Sequence, residues 1–210
     1  MDISRRTAGL GLLAYGICTP VAFMSIDSPG GDYENSTVIA YMASGHWARS
    51  IALAYLGAFA ALGLLPFARR MRSELRSGGD TFWGLMVGAT TTAVVGWFLV
   101  GGVAVVFAEG GTALRGLPHP VVYALSEMSN LIAVCASAFL VGSAALVLVA
   151  RGTLPTALRA LTAVAGVCGL LAAFFFTMFL FWLWAITFGV WTLLSATRET
   201  AAAPAEHQPA

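Results

Sequence analysis

The feature that most constrains this fold is a series of long apolar stretches that are almost free of charged residues. They cover residues 8–25, 48–68, 82–108, 120–150 and 154–196. A helix needs about 20 apolar residues to cross the hydrocarbon core of a bilayer, so each of the first four stretches predicts one crossing. The fifth is about twice that length. We divide it at a turn near residues 172–177, where small residues give way to phenylalanines.

The composition fits this interpretation. Hydrophobic residues make up 59% of the 210 residues, charged residues make up 10%, and the net charge is +1. Soluble domains contain about 25% charged residues, so a soluble enzyme, a nucleic-acid-binding protein and a disordered chain are excluded. We predict an all-α polytopic membrane bundle of six transmembrane helices. It forms a single domain over residues 1–198, followed by a disordered cytoplasmic tail at 199–210.

The loop charges predict the orientation of the bundle. Arginines cluster at residues 5–6, 69–76, 151–159 and 198, whereas the other loops carry acidic residues at 27, 32, 34 and 109 and only two arginines, at 49 and 115. Because positive residues favour the cytoplasmic side, we expect both termini in the cytoplasm of a bacterial cell, with the bundle in its cytoplasmic membrane. The first outer loop has a turn cluster at 28–32 and a helix N-cap signal at 35–36, which predict a short interfacial helix on the outer surface.

Glu127 is the only acidic residue well inside an apolar stretch. Counted from the start of the fourth span, it lies on the order of 10 Å below the outer interface. Ionisable residues at such depth are costly and usually have a role. Glu127 is therefore a candidate proton donor, and the alternative is a polar link between helices.

A polar stripe surrounds this acid on the fourth span. His119, Tyr123 and Glu127 follow one another at four-residue intervals, which places them on one helix face. Three further polar residues fall within about a quarter-turn of that face: Ser126, Asn130 and Ser137. We name Glu127, Tyr123 and Asn130 as candidate catalytic residues, with His119 and Ser126 as candidate binding residues.

The outer end of the second span lies at a similar depth and carries two more candidate binding residues, His46 and Arg49. If the second and fourth spans are neighbours, Arg49 can pair with Glu127, and His46 with His119 or Tyr123. Three residues in the outer half of the first span could join the same cavity: Tyr15, Thr19 and Pro20.

The sixth span is surrounded by aromatic residues. One interpretation is a lipid-facing helix with interfacial tryptophans. The other is an aromatic wall around a hydrophobic ligand, for which Trp182 and Trp184 are the candidate binding residues. Small residues recur every four positions at 84–96 and at 165–173, which predicts close helix packing at both places.

No metal or cofactor is expected from the sequence. The three cysteines have no paired spacing, and the histidines lack ligand spacing. Neither a nucleophile–His–acid set, nor a phosphate-binding loop, nor a haem-attachment motif occurs. The chain also has no lysine, which excludes a Schiff base. The expected partners are the lipid bilayer and a hydrophobic small molecule, not nucleic acid.

Short motifs at residues 6–10, 32–33, 67–72 and 151–155 resemble those of small multi-span actinobacterial membrane proteins of unknown function. This resemblance implies about six spans and no assigned activity. Abundant alanine, glycine and arginine also suit a high-GC bacterium. A looser similarity is to small membrane-embedded terpene cyclases, which combine intramembrane acids with aromatic-lined cavities. Those enzymes usually show a second functional acid, and this chain has none within a span.

We therefore expect an integral membrane protein that binds a hydrophobic small molecule or lipid in an outward-facing cavity around Glu127. One alternative is an intramembrane acid-catalysed isoprenoid cyclase with Glu127 as proton donor. Another is a proton-coupled transporter with Glu127 as carrier. Whether the protein is an enzyme stays open at this point.

Overall fold

The computed structural model describes residues 4–25, 47–75, 77–114, 117–174 and 177–202, which are almost entirely helical and contain no strand. The predicted all-α helical bundle is confirmed. Its elements are α1 (Arg5–Ser25), α2 (Trp47–Leu62), α3 (Leu64–Glu74), α4 (Gly79–Leu114), α5 (His119–Leu131), a π-helical turn (Ile132–Ala136), α6 (Ser137–Arg151), α7 (Thr156–Leu170) and α8 (Thr177–Ala202).

Two predicted elements lie outside the described residues: the interfacial helix after residue 35 and the tail beyond residue 202. The last helix continues to Ala202, past residue 198, where we placed the end of the domain.

Among the described residues, five helical segments are long and apolar enough to cross a membrane: Arg5–Ser25, Ala48–Glu74, Gly79–Phe107, Pro120–Arg151 and Thr177–Thr197. The sixth segment is α7, a shorter apolar helix of 15 residues. The division of the last apolar stretch is confirmed, because a backbone turn follows α7 in which the Phe174 N–H donates to the Leu171 carbonyl at 2.8 Å. At 1.5 Å per residue α7 is only about 22 Å long, less than the roughly 30 Å of a hydrocarbon core.

The arginine-rich segments meet at one end of the bundle, which we call the arginine end. Glu74 at the end of α3 accepts hydrogen bonds from Arg5 of α1 at 3.2 Å and from Arg70 at 2.9 Å. These contacts join the start of α1 to the end of α3. Two further contacts lie at this end. Arg72 of α3 donates to Asp80 at the start of α4 at 2.6 Å, and Arg151 at the end of α6 donates to Ser77, just before α4, at 3.3 Å.

Small residues allow the helices to approach closely at the core. A Cβ added at Gly169 of α7 would lie 2.6 Å from the Gly142 Cα of α6, and one at Gly96 of α4 would lie 2.2 Å from the Ala133 Cα. The predicted packing faces therefore hold at these two positions. They do not hold at Gly84, which faces open space, or at Ala173, which is exposed in the turn after α7.

Helix length indicates where the opposite boundary of the membrane lies. The hydrocarbon core is as thick as about 20 helical residues (30 Å), and this count along the helices from the arginine end reaches Ser25, Arg49, Val100, Leu131 and Thr177. Both α4 and α5 continue past this level, α4 by about 21 Å. We call residues 101–114 and 117–131 the projecting hairpin. Its two helices are held together by a small cluster of Val103, Phe107, Leu117 and Val122.

Candidate functional site

Tyr15 lies at the centre of the bundle and carries a hydroxyl without a regular hydrogen bond. It belongs to the buried face of α1, and its ring meets Phe181 of α8 edge-on at a centroid distance of 6.3 Å. The hydroxyl faces Ser137 at the start of α6 but does not reach hydrogen-bond geometry. The Ser137 hydroxyl is itself bonded to the carbonyls of Ala133 and Val134 at 3.1 and 3.0 Å. The Tyr15 hydroxyl is therefore buried beside the Ser137 hydroxyl, without a regular hydrogen bond within the described ranges.

Two unpartnered polar atoms belong to the same interface. Thr19 lies one helical turn beyond Tyr15 on the same buried face, and its hydroxyl has no partner among the described residues. The Trp182 ring of α8 packs against Phe23, one further turn along α1, with the ring centroids 6.1 Å apart and the planes tilted by 54°. The Trp182 indole N–H is also buried without a partner in the described part of the chain. Hydrogen-bond partners are the rule for buried polar groups, so these exceptions at one interface need an explanation.

The π-helical turn contacts the start of α8 and the turn before it. Its Cys135 thiol donates to the Ala172 carbonyl at 3.2 Å and lies 3.9 Å from the Met178 sulfur at the start of α8. Single π turns inside α-helices are often found at functional sites. We call Tyr15, Thr19, Cys135, Ser137 and Trp182 the core polar cluster.

The depth of the core polar cluster is set by its distance from the arginine end. Tyr15 lies about 15 Å from Arg5, and Ser137 about 21 Å from Arg151, measured along their helices. Both distances are shorter than the roughly 30 Å of hydrocarbon. The cluster is therefore inside the membrane, towards the end away from the arginines.

The chemistry of the core polar cluster is that of neutral hydrogen bonding. An indole N–H only donates, whereas phenol and alcohol hydroxyls donate or accept. Within the described ranges, no three His, Cys, Asp or Glu side chains come close enough to share a metal ion. The arrangement suits an oxygen acceptor better than a cation.

The two tryptophans predicted as binding residues have different surroundings. Trp184 is fully packed in the core, where its indole N–H donates to the Thr162 hydroxyl of α7 at 3.1 Å, so this indole already has its partner. The Trp182 indole N–H has no hydrogen-bond partner among the described residues. The Trp97 indole N–H of α4 also lacks one there, but Trp97 packs against Gly57 of α2, away from the core polar cluster.

The predicted polar stripe lies on α5, within the projecting hairpin. Glu127 is half-buried and Tyr123 is exposed, whereas Ser126 is buried on the face that packs against α4. Glu127 precedes Arg151 by 24 residues of nearly continuous helix, which is about 36 Å and more than the hydrocarbon thickness. Counted from Arg151, Glu127 therefore lies farther from the arginine end than one hydrocarbon thickness, and its depth in the bilayer stays a prediction.

The remaining predicted residues are only partly described. Arg49 is exposed in the first turn of α2, close to the same boundary. His46 lies outside the described residues. His119 and Asn130 are placed on α5 by their backbone alone. Both α2 and α5 pack on α4, where Ala54 contacts Gly101 and Val122 contacts Phe107, so the two helices flank the same part of α4.

A separate open groove of about 270 Å³ lies between α2–α3 and α4 near the middle of the membrane. Its lining is Leu62, Leu65, Val87, Thr90, Thr91, Val94 and Val95. This apolar surface is typical of helices that face lipid.

The chain was compared with known proteins. No protein-family model matches it, and neither a curated protein nor a solved structure does. Function must therefore be argued from this chain's own residues.

From the sequence, Tyr15 and Thr19 could join the cavity around Glu127. In the structure, Tyr15 contacts Phe181 of α8 and faces Ser137, which directly follows the π-helical turn. One signal was available in the sequence. Tyr15 and Thr19 interrupt an otherwise apolar stripe of α1 that continues with Ala8, Leu12 and Ala22.

Proposed function

We propose that this chain is an integral membrane protein that binds a hydrophobic small molecule or lipid carrying a polar group. The observation that carries the proposal lies at the α1–α8 interface. Two buried side chains there, Thr19 and Trp182, have no hydrogen-bond partner within the described ranges, and the Tyr15 hydroxyl, which faces Ser137, belongs to the same buried face of α1. Leaving such a group unsatisfied costs about 1–3 kcal/mol. A ligand that supplies the missing partners recovers this free energy on binding.

The surroundings support a ligand that comes from the bilayer. The core polar cluster lies between helices of a bundle, where small-molecule sites commonly form. Aromatic rings flank it on α1 and α8, since Phe23 and Phe181 contact Trp182 and Tyr15 respectively. The arginine distribution supports a cytoplasmic location of both termini in a bacterial membrane.

The alternatives based on acid chemistry have weaker support. A cyclase needs a carboxylic acid in a dry site beside aromatic faces, and a proton carrier needs one inside the membrane. Glu127 lies about 36 Å from the arginine end, on a helix that packs against α4, whereas Trp182 and Trp184 pack with α1, α3 and α7. We therefore assign the ligand to the core polar cluster rather than to a cavity around Glu127.

Mass spectrometry of molecules that co-purify with the protein tests this proposal. The variant T19V/W182F removes two of the unpartnered groups. The matched control T192V/W97F removes a buried threonine hydroxyl, which is bonded to Phe188, and an unpartnered indole N–H outside the cluster. We expect one hydrophobic molecule to be retained by the wild type and the control but depleted in T19V/W182F. Equal contents in the two double variants, at equal thermal stability, would overturn the proposal.

A further inference from the structure

We propose that the ligand of the core polar cluster is a neutral ring that carries a carbonyl oxygen, of the quinone class, with its hydrocarbon chain in the bilayer. This inference rests on the proposed function and specifies its ligand.

The donor set requires acceptor lone pairs. The Trp182 indole N–H can only donate, and the Tyr15 and Thr19 hydroxyls can both donate. The Tyr15 hydroxyl already faces Ser137, so Thr19 and Trp182 are the two groups without a partner among the described residues. A carbonyl oxygen has two lone pairs and can accept both of their hydrogen bonds. A pure hydrocarbon offers no acceptor and would leave both groups unsatisfied.

The charge distribution requires a neutral ligand. The charged side chains that the structure describes lie at the arginine end, on the first turns of helices or in the projecting hairpin, as with Arg5, Arg151, Arg49 and Glu127. None of them is in the core polar cluster. An anionic headgroup would be buried there without a counter-charge, at a cost of several kcal/mol. A fatty-acid carboxylate or a phosphate is therefore disfavoured.

The aromatic side chains favour a ring over a plain chain. Trp182 has Phe23 on one side at 6.1 Å and Phe179 on another at 5.7 Å, the latter edge-on. Tyr15 has Phe181 edge-on at 6.3 Å. Aromatic pairs in offset or edge-to-face geometry contribute about 0.5–1.5 kcal/mol beyond burial of area. A planar ring inserted among them can make the same contacts.

The position of the cluster gives the ligand a short path from the bilayer. Phe179 is 47% exposed on the lipid side of α8 while it contacts the buried Trp182. One side-chain layer therefore separates the cluster from lipid. The polar atoms of Tyr15, Thr19 and Trp182 are buried from solvent, so the ligand must displace part of that layer when it binds.

The test is a titration of the purified protein with 2,3-dimethoxy-5-methyl-6-decyl-1,4-benzoquinone and, in parallel, with decylbenzene. We expect the quinone to bind more tightly than decylbenzene. Each lost hydrogen bond of about 1 kcal/mol weakens binding about fivefold, so T19V and W182F should each lose about that factor and the double variant more than tenfold. The control T192V/W97F should stay within about twofold of the wild type, and decylbenzene should not respond to T19V.

Two outcomes separate failure of this inference from failure of the proposed function. If the quinone binds no better than decylbenzene, or binds T19V/W182F as well as T192V/W97F, the quinone class is wrong. In that case the proposed function still holds, provided that the co-purifying molecule remains depleted in T19V/W182F. If neither the titration nor the co-purified content responds to T19V/W182F, both are overturned.

Discussion

The hydrogen bond between Trp184 and Thr162 gives the sharpest test of how this bundle treats buried polar groups. Thr162 and Thr192 are both fully buried, and each hydroxyl donates to its own helix, at 2.7 Å to Leu158 and at 2.8 Å to Phe188. They differ in one respect: the Trp184 indole N–H donates to Thr162 at 3.1 Å. Valine keeps the shape of threonine, so T162V and T192V differ by the loss of that partner.

We expect T162V to lower the free energy of unfolding by about 1–2 kcal/mol more than T192V does. The range lies between the average of about 0.6 kcal/mol for hydrogen bonds between membrane helices and the 1–3 kcal/mol cost of an unsatisfied buried donor. Unfolding in mixed detergent micelles measures this difference in the free energy of unfolding between T162V and T192V. In a W184F background the difference should vanish, because no indole N–H is left to be stranded. Equal stabilities of T162V and T192V, within about 0.5 kcal/mol, would refute this reasoning.

The same argument predicts the opposite sign for T19V. The Thr19 hydroxyl has no partner among the described residues, so its removal strands nothing. Without ligand, T19V should therefore leave the free energy of unfolding unchanged or raise it. A loss of more than about 1 kcal/mol relative to T192V, by the same unfolding assay, would show that Thr19 is a structural residue.

Three further predictions concern packing, depth and charge. G169A should destabilise the protein by about 1–3 kcal/mol because its Cβ would lie 2.6 Å from Gly142 Cα, whereas G84A, in open space, should be neutral or stabilising in the same unfolding assay. In a background without the native cysteines and in nanodiscs, a membrane-impermeant maleimide should label V106C of the projecting hairpin but not V95C, although both side chains are more than half exposed; equal protection of the two would contradict the depth assignment. E74Q weakens contacts to Arg5 and Arg70 that are about 30% exposed, so it should cost less than about 1 kcal/mol, and less at high salt, in chemical unfolding.

The fold was largely predictable because apolar length and loop charge are strong local signals. The length of the last stretch predicts a division, and the change from small residues to phenylalanines places it near residues 172–177, directly after α7 ends at Leu170. The sequence could not predict that α7 is shorter than one crossing while α4 has 36 residues. An apolar run does not mark which part of it lies in lipid, so the boundary must be counted from fixed charges such as Arg151.

The candidate site was harder to predict because it is assembled from three separate parts of the chain. The stripe of His119, Tyr123 and Glu127 is local, and helical spacing makes such a pattern visible in the sequence. The core polar cluster joins α1, the π-helical turn and α8, and spacing within one helix cannot show which faces meet. Trp182 and Trp184 illustrate this limit. Two residues apart in sequence, one finds its partner in Thr162 and the other finds none in the described part of the chain.

The position of Glu127 changes what an acidic residue in this chain signifies. An acid within the hydrocarbon must be functional or paired, because water cannot solvate it. If the projecting hairpin lies outside the hydrocarbon, an acid there is solvated on one side, and half-burial is an ordinary feature of a helix surface. The groups that then need an explanation are uncharged side chains nearer the arginine end. The Thr19 hydroxyl and the Trp182 indole lie within one hydrocarbon thickness of that end, so the partners that they lack among the described residues cannot be bulk water. A partner for them must come from the protein's own rearrangement or from a molecule dissolved in the bilayer, and the paired variants T19V and T192V distinguish these two sources.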